Sequence, residues 1–213
     1  LFIPFVRLYQ NGVPNESVMD MIRWNVRTPD EVIGDIRSQI AANHVCTEKI
    51  CQMLKESNLE NLDDLADAII GITEKSMREE IEKIPDGIYL SKGTIEQMKG
   101  KTDIVIQAKV EIKGSDIIID LEGSSGQVDW GGNVVFNFTY AYVFMAIKSM
   151  FAPDIPNNEG CARPIRLSAP EGSVVNCKFP AAVAARMGVG HFLTEIIYRA
   201  LSNVLPDKVI AAS

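Results

Sequence analysis

Asn157, Asn158, Glu159 and Arg163 stand almost side by side within residues 154–186, a run that also holds Pro156, Gly160, Pro164, Pro170, Gly172 and Pro180. Two carboxamides, a carboxylate and a guanidinium can hydrogen-bond a small polar ligand from several directions. Prolines fix φ and glycines admit positive φ, so this spacing specifies one backbone path. Such a path either presents a binding edge or serves as a rigid connection in a β-rich domain.

A second set lies on a helix pattern: Asp35, Gln39 and Asn43 recur every four residues with Arg37 beside them. That stripe can line a polar pocket or face solvent. A third is GSSGQVDWGGN, residues 123–133, where backbone N–H groups could cradle an anion. It lacks both the Lys-Ser/Thr ending of a phosphate loop and the GxGxxG spacing, so a turn that packs Trp130 is the stronger reading. The two histidines differ in setting. His44 falls on an apolar stripe and reads as a packing residue, whereas His191 follows Gly188-Val189-Gly190 at a helix start that a small ligand could approach. No HxH, HExxH or GxSxG motif occurs, which argues against a complete metal or Ser-hydrolase site within these residues.

The elements that must position these groups show as changes of period. After a strand-like run at 1–9 and the turn Asn11-Gly12, a short helix is expected over 16–26. Thr28, Pro29 and Glu31 supply an N-cap, a first-turn proline and a capping-box glutamate for a helix over 28–57. Its apolar face is Ile33, Ile36, Ile40, Cys51 and Leu54. A second amphipathic helix over 59–84 carries Leu62, Leu65, Ile69, Ile70, Met77 and Ile81, and the two are expected to form an antiparallel hairpin. At Pro85-Asp86-Gly87 the period shifts toward 2. Strands are expected at 87–95, 103–112 and 115–121, the last two a hairpin through Lys113-Gly114, with an aromatic-rich helix over 138–151. Short strands at 165–169 and 173–177 and a final helix over 191–205 complete the pattern. The sum is α+β, a helical hairpin arm (residues 1–85) followed by a mixed, β-rich domain with packed helices (residues 86–213), without βαβ periodicity.

The 213 residues are 46% apolar and 23% charged, ordinary for a globular chain. Net charge is −7, and residues 1–85 hold nine Lys/Arg against fifteen Asp/Glu. With no basic run, nucleic acid and anionic membrane surfaces are poor partners. No apolar run reaches a membrane span, and the cytoplasm is the expected compartment. Cys46 and Cys51 are five residues apart on one helix, a rotation of about 500°, so they point to different faces; reduced structural thiols are expected for all four cysteines. The chain opens at Leu1 in a strand-like run and stops at Ala-Ala-Ser, which reads as a fragment of a longer polypeptide.

NVRTPDEVIGDIRSQIAAN (residues 25–43), DLEGSSGQVDWGGN (120–133) and DIPNNEGCARPIRLSAPEGSVVN (154–176) together resemble the hydantoinase B/oxoprolinase family, whose relatives include the large subunits of acetone and acetophenone carboxylases. The resemblance covers nearly the whole chain and the middle of such a B-type subunit. It implies an ATP-dependent amidohydrolase opening a cyclic amide or imide of hydantoin or 5-oxoproline type, with a ketone carboxylase as the alternative. It further implies ATP bound by a partner A-type subunit in a hetero-oligomer. A phosphorylated lactam or enol would pass to the B-type subunit, where metal-activated water or a carboxyl donor completes the reaction. The divalent metal, Zn or Mn, is expected in an Asp/His-rich region preceding Leu1 of the full-length subunit, not in this segment. Here Met187-Gly188-Val189-Gly190-His191-Phe192 departs from the polar Thr…Gln-Arg run of hydrolytic members, a departure that favours the carboxylase branch. Arg37, Gln39, Asn43, Asn133, Asn158, Glu159, Arg186 and His191 are the candidate substrate-binding residues, each with a cap, turn or interface contact as its structural alternative. A non-catalytic scaffold segment for subunit assembly is the third reading.

Overall fold

The computed structural model describes residues 5–96 and 102–208. The chain divides into two compact units, Leu1–Asp63 and Asp64–Ser213.

In the first unit the Asn11-Gly12 turn joins β1 (Tyr9–Gln10) to β2 (Val13–Pro14), so only the end of the strand expected over 1–9 pairs; its first four residues lie outside the described ones. Helix α1 (Glu16–Asn25) is capped by Asn15, whose side chain accepts from Val18 N, and buries Val18 and Met19. Helix α2 (Pro29–Glu56) starts where Pro29 predicts, but Thr28 makes no side-chain cap, so the expected capping box does not form. Of its apolar stripe only Ile33 is buried. His44 is correspondingly no packing residue: it is exposed beside Glu48 at 3.5 Å, because this length of α2 has no core of its own to face.

The second unit begins with α3 (Asp63–Ile81), which therefore groups with the sheet, and α2 with the other unit. Burial along α3 starts at Thr73 and continues through Met77 and Ile81, while Leu65, Ile69 and Ile72 remain exposed. The sheet has the order β3 (Gly87–Ile95), β4 (Ile104–Lys113), β5 (Asp116–Asp120), β6 (Ile165–Ser168). Strict alternation along β4 puts Ile104, Ile106, Ala108, Val110 and Ile112 on one buried face. Against that face packs α6 (Arg186–Leu201), with α4 (Phe136–Phe151) beside it and Met77 and Ile81 of α3 in the same core. A short α5 (Glu159–Ala162) follows the proline-rich loop, and a 3-10 turn at Pro206–Lys208 is the last of the described elements.

Strands β3, β4 and β5 are antiparallel, but β5 and β6 are parallel, Ile117 beside Ile165 and Ile119 beside Leu167. The passage from β5 through α4 to β6 is thus a single crossover connection in a sheet otherwise antiparallel, which leaves the expected lack of βαβ periodicity in place. Its last strand is only four residues, too short to show a period. Two further expectations are corrected. Residues 173–177 form no strand, since Ser173 makes isolated bridges to Gly126 and Asn176. The last helix starts at Arg186 and ends at Leu201, earlier than expected at both ends. Gly188 and Gly190, expected just before the helix start, both lie inside the helix because packing, not propensity, decides there.

Candidate functional site

Helices α4 and α6 run side by side in the same direction. Near their starts Arg186 places its guanidinium 5.3 Å from the centre of the Phe138 ring. One turn on, the Tyr142 hydroxyl lies 3.7 Å from Met187 Sδ, and Tyr142 and His191 meet edge to face at 5.5 Å. Near their ends Ser149 and Tyr198 share a hydrogen bond of 2.8 Å. Gly190 makes the approach possible: a Cβ there would lie 2.9 Å from the Phe138 and Tyr142 rings. Neither helix has a side-chain cap or an acidic first turn. Two partly positive helix ends therefore stand beside a guanidinium and three ring edges, an arrangement suited to a planar, carbonyl-bearing ligand.

Asn133 fixes the loops behind this surface. It is fully buried; its Oδ1 accepts from Val128 N at 2.7 Å, and its Nδ2 donates to Val128 O, Trp130 O and Ala182 O at 2.8, 3.0 and 2.9 Å. The Ala185 N–H donates to Gly131 O at 2.8 Å, so the glycine-rich turn and the start of α6 are tied directly. That turn also borders a cleft of about 740 Å³ with Ser125, Gln127, Asp103 and Asp129. Among the described residues lining it there is no cation, and two carboxylates oppose an anion, in keeping with the turn reading.

Asn158 and Glu159 belong to another neighbourhood. Asn158 caps α5, accepting from Gly160 N at 2.8 Å, and donates to Thr73 Oγ1 of α3 at 2.8 Å. Exposed Glu159 pairs with Arg163, which reaches Glu74 at 3.2 Å; Glu74 pairs with Arg78, and Arg78 with Asp116 at 2.8 Å. The two guanidinium groups hold the Glu74 carboxyl below the usual carboxylate range, and the Asp116 carboxylate raises Arg78. Burial raises the Cys177 thiol. Gly160 lies so close to α3 that a Cβ would stand 2.8 Å from Glu74 N.

The structure thus gathers Asn133, Arg186 and His191 at one end of the α4–α6 pair and places Asn158 and Glu159 against α3. Arg37, Gln39 and Asn43 lie on α2 in the other unit, Arg37 off the stripe of the other two. Phe138, Tyr142 and Met187, which complete the aromatic surface, carry no chemical signature in the sequence; the i, i+4 spacing of Phe138 and Tyr142 on an aromatic-rich helix is the available signal. Among the described residues no three of His, Cys, Asp and Glu stand close enough to hold a metal ion, and the two histidines lie in different units. A divalent metal does not fit the groups present among the described residues. No helix among the described residues is long and apolar enough to cross a membrane.

The model of the Hydantoinase B/oxoprolinase family matches residues 1–213. The chain is 31% identical over 218 residues to the putative B-type subunit of a D-/L-hydantoinase from Pseudomonas sp. (strain NS671), covering 97% of this chain and 37% of that protein. Its fold matches that of an ATP-dependent caprolactamase from Pseudomonas jessenii with a TM-score of 0.89 at 24% identity, over 100% of this chain and 37% of that one. It matches a nucleotide-free acetone carboxylase with a TM-score of 0.77 at 18% identity, over 95% of this chain and 29% of that one. The chain therefore spans about two fifths or less of these relatives, and it belongs to the hydantoinase B/oxoprolinase family.

Proposed function

We propose that the chain is part of the B-type subunit of an ATP-dependent amidohydrolase that opens a cyclic amide or imide of hydantoin or 5-oxoproline type. The observation that carries this reading is the family match along all 213 residues. The chain's own contribution is to shape the substrate pocket rather than to activate water. Phe138, Tyr142 and His191 offer edges to a flat ring, Arg186 and the α4 and α6 starts favour negative charge on a carbonyl oxygen, and Asn133 holds their loops. Asn158 and Glu159 act through the cap and ion pairs that fix the neighbouring loop. ATP would be bound by an A-type partner subunit, and the Zn or Mn ion by other parts of the full-length subunit.

The run from Met187 to Phe192, with a histidine and an aromatic in place of the polar Thr…Gln-Arg run of hydrolytic members, supports a second reading, a ketone carboxylase of acetone or acetophenone type. The test is ATP turnover by the full-length subunit assembled with its partner. Ring-opened product and ADP from hydantoin or 5-oxoproline support the proposal. Turnover with ketone and bicarbonate, and none with either cyclic amide, moves the assignment to the carboxylase. Replacing Arg186 and His191 together by Ala should lower kcat/KM on the active substrate about tenfold or more. Unchanged turnover in a fully assembled complex would make this segment a scaffold.

A further inference from the structure

Lys148 is only 6% exposed, in the last turn of α4. Its ammonium donates to the carbonyls of Ala152 and Pro153, and no carboxylate pairs with it among the described residues. An ammonium has three N–H groups, so one is left over. A buried cation without an anion is costly unless water or a ligand meets it. Lys148 borders a cleft of about 400 Å³ together with Phe144, Met145, Ser149, Pro153 and Asn157. Ser149 Oγ donates to Ala146 O at 3.0 Å and so accepts from the Tyr198 hydroxyl, which leaves neither of them a donor for a ligand. The Asn157 carboxamide, in contrast, makes no hydrogen bond among the described residues. The cleft therefore offers one ammonium N–H and a free amide over walls of aromatic, thioether and pyrrolidine carbon, and no lining carboxylate.

We infer that this cleft binds a small monocarboxylate with an apolar body. The carboxylate takes hydrogen bonds from Lys148 Nζ and Asn157 Nδ2, and the body lies against Phe144, Met145 and Pro153. The cleft is distinct from the aromatic surface at the other end of α4, since Phe138 and Lys148 are ten residues apart, about 15 Å along the helix. The inference does not depend on the ring-opening reading.

Titration calorimetry of the full-length subunit with hexanoate, and with hexanamide as its neutral counterpart, tests it without any turnover measurement. Hexanoate should bind about tenfold or more tighter than hexanamide. Lys148→Met should weaken hexanoate about tenfold or more and leave hexanamide nearly unchanged, while Asn157→Ala, a change of an exposed side chain, should weaken hexanoate several-fold. Equal affinity for the two probes, or no hexanoate binding at any soluble concentration, overturns the proposal and leaves Lys148 as a helix C-cap alone. If Lys148→Met does not fold, Asn157→Ala decides: unchanged hexanoate affinity overturns the site.

Discussion

Asn133 illustrates how a polar side chain in a family-like motif can serve a site without touching a ligand. All of its amide atoms are bonded to backbone groups of the glycine-rich turn and of Ala182, and the residue has no exposed surface. Truncation would leave a buried N–H and several carbonyls unpaired, which costs far more than the bonds contribute net. Asn133→Ala should therefore lower unfolding stability by about 3 kcal/mol, read as a shift of the urea midpoint at constant m-value. A shift below about 1 kcal/mol would mean that water replaces the lost partners. Gly190 makes a complementary case. A valine there would drive its Cβ into the Phe138 and Tyr142 rings, so Gly190→Val should separate α4 from α6 and reduce near-UV circular dichroism, whereas Gly188→Ala, with open space around its Cβ, should be tolerated. Identical spectra for the two variants would contradict the tight packing at that crossing.

The elements differ in how openly the chain announces them. Strands β3, β4 and β5 and the starts of α1 and α2 are readable because alternation, Gly114 and Pro29 act within a few residues of where they appear. The parallel pairing of β6, the early start of α6 and the exposure of His44 are not, because each is decided by partners far away in sequence. The same holds for the candidate site. Asn133, Arg186 and His191 are visible as polar groups near glycines, but their gathering depends on the α4–α6 contact, and Lys148 gives no signal because it sits among aromatic residues. The ion pairs from Glu74 to Asp116 are likewise invisible, being spread over α3, α5 and β5. They carry a pH consequence. The Glu74 carboxyl is held below its ordinary value of 4.5, so the stability it contributes is fully present above that pH and is lost as pH falls through the depressed folded value. Glu74→Gln should accordingly flatten the acid limb of stability below about pH 4.5 while changing the pH 7 to 8 range little in slope, measured by urea midpoints across pH. An acid limb as steep as that of the parent protein would place the titrating group elsewhere.

The molecule as a whole is two compact units with different sources of stability. The sheet unit has a contiguous core from Met77 to Leu201, whereas the first unit buries Val18, Met19 and Ile33. Residues 57–62, at the end of the first unit, are almost wholly exposed, and Asn58 adopts a positive φ of 52° that ends α2 without a glycine. Local opening is cheapest where few apolar contacts oppose it, so this segment should be the first to admit a protease. Limited digestion with an enzyme that cuts after Glu should cleave near Glu56 or Glu60 and leave a protected fragment that begins close to Asp64. The fragment should keep a cooperative thermal transition, because Met77, Ile81 and the buried face of β4 travel with it. Cleavage distributed over α3 and the sheet before any cut near Glu60 would show that the two units unfold as one, and the exposed Leu65, Ile69 and Ile72 would then mark a face whose cover the sheet unit needs to stay folded.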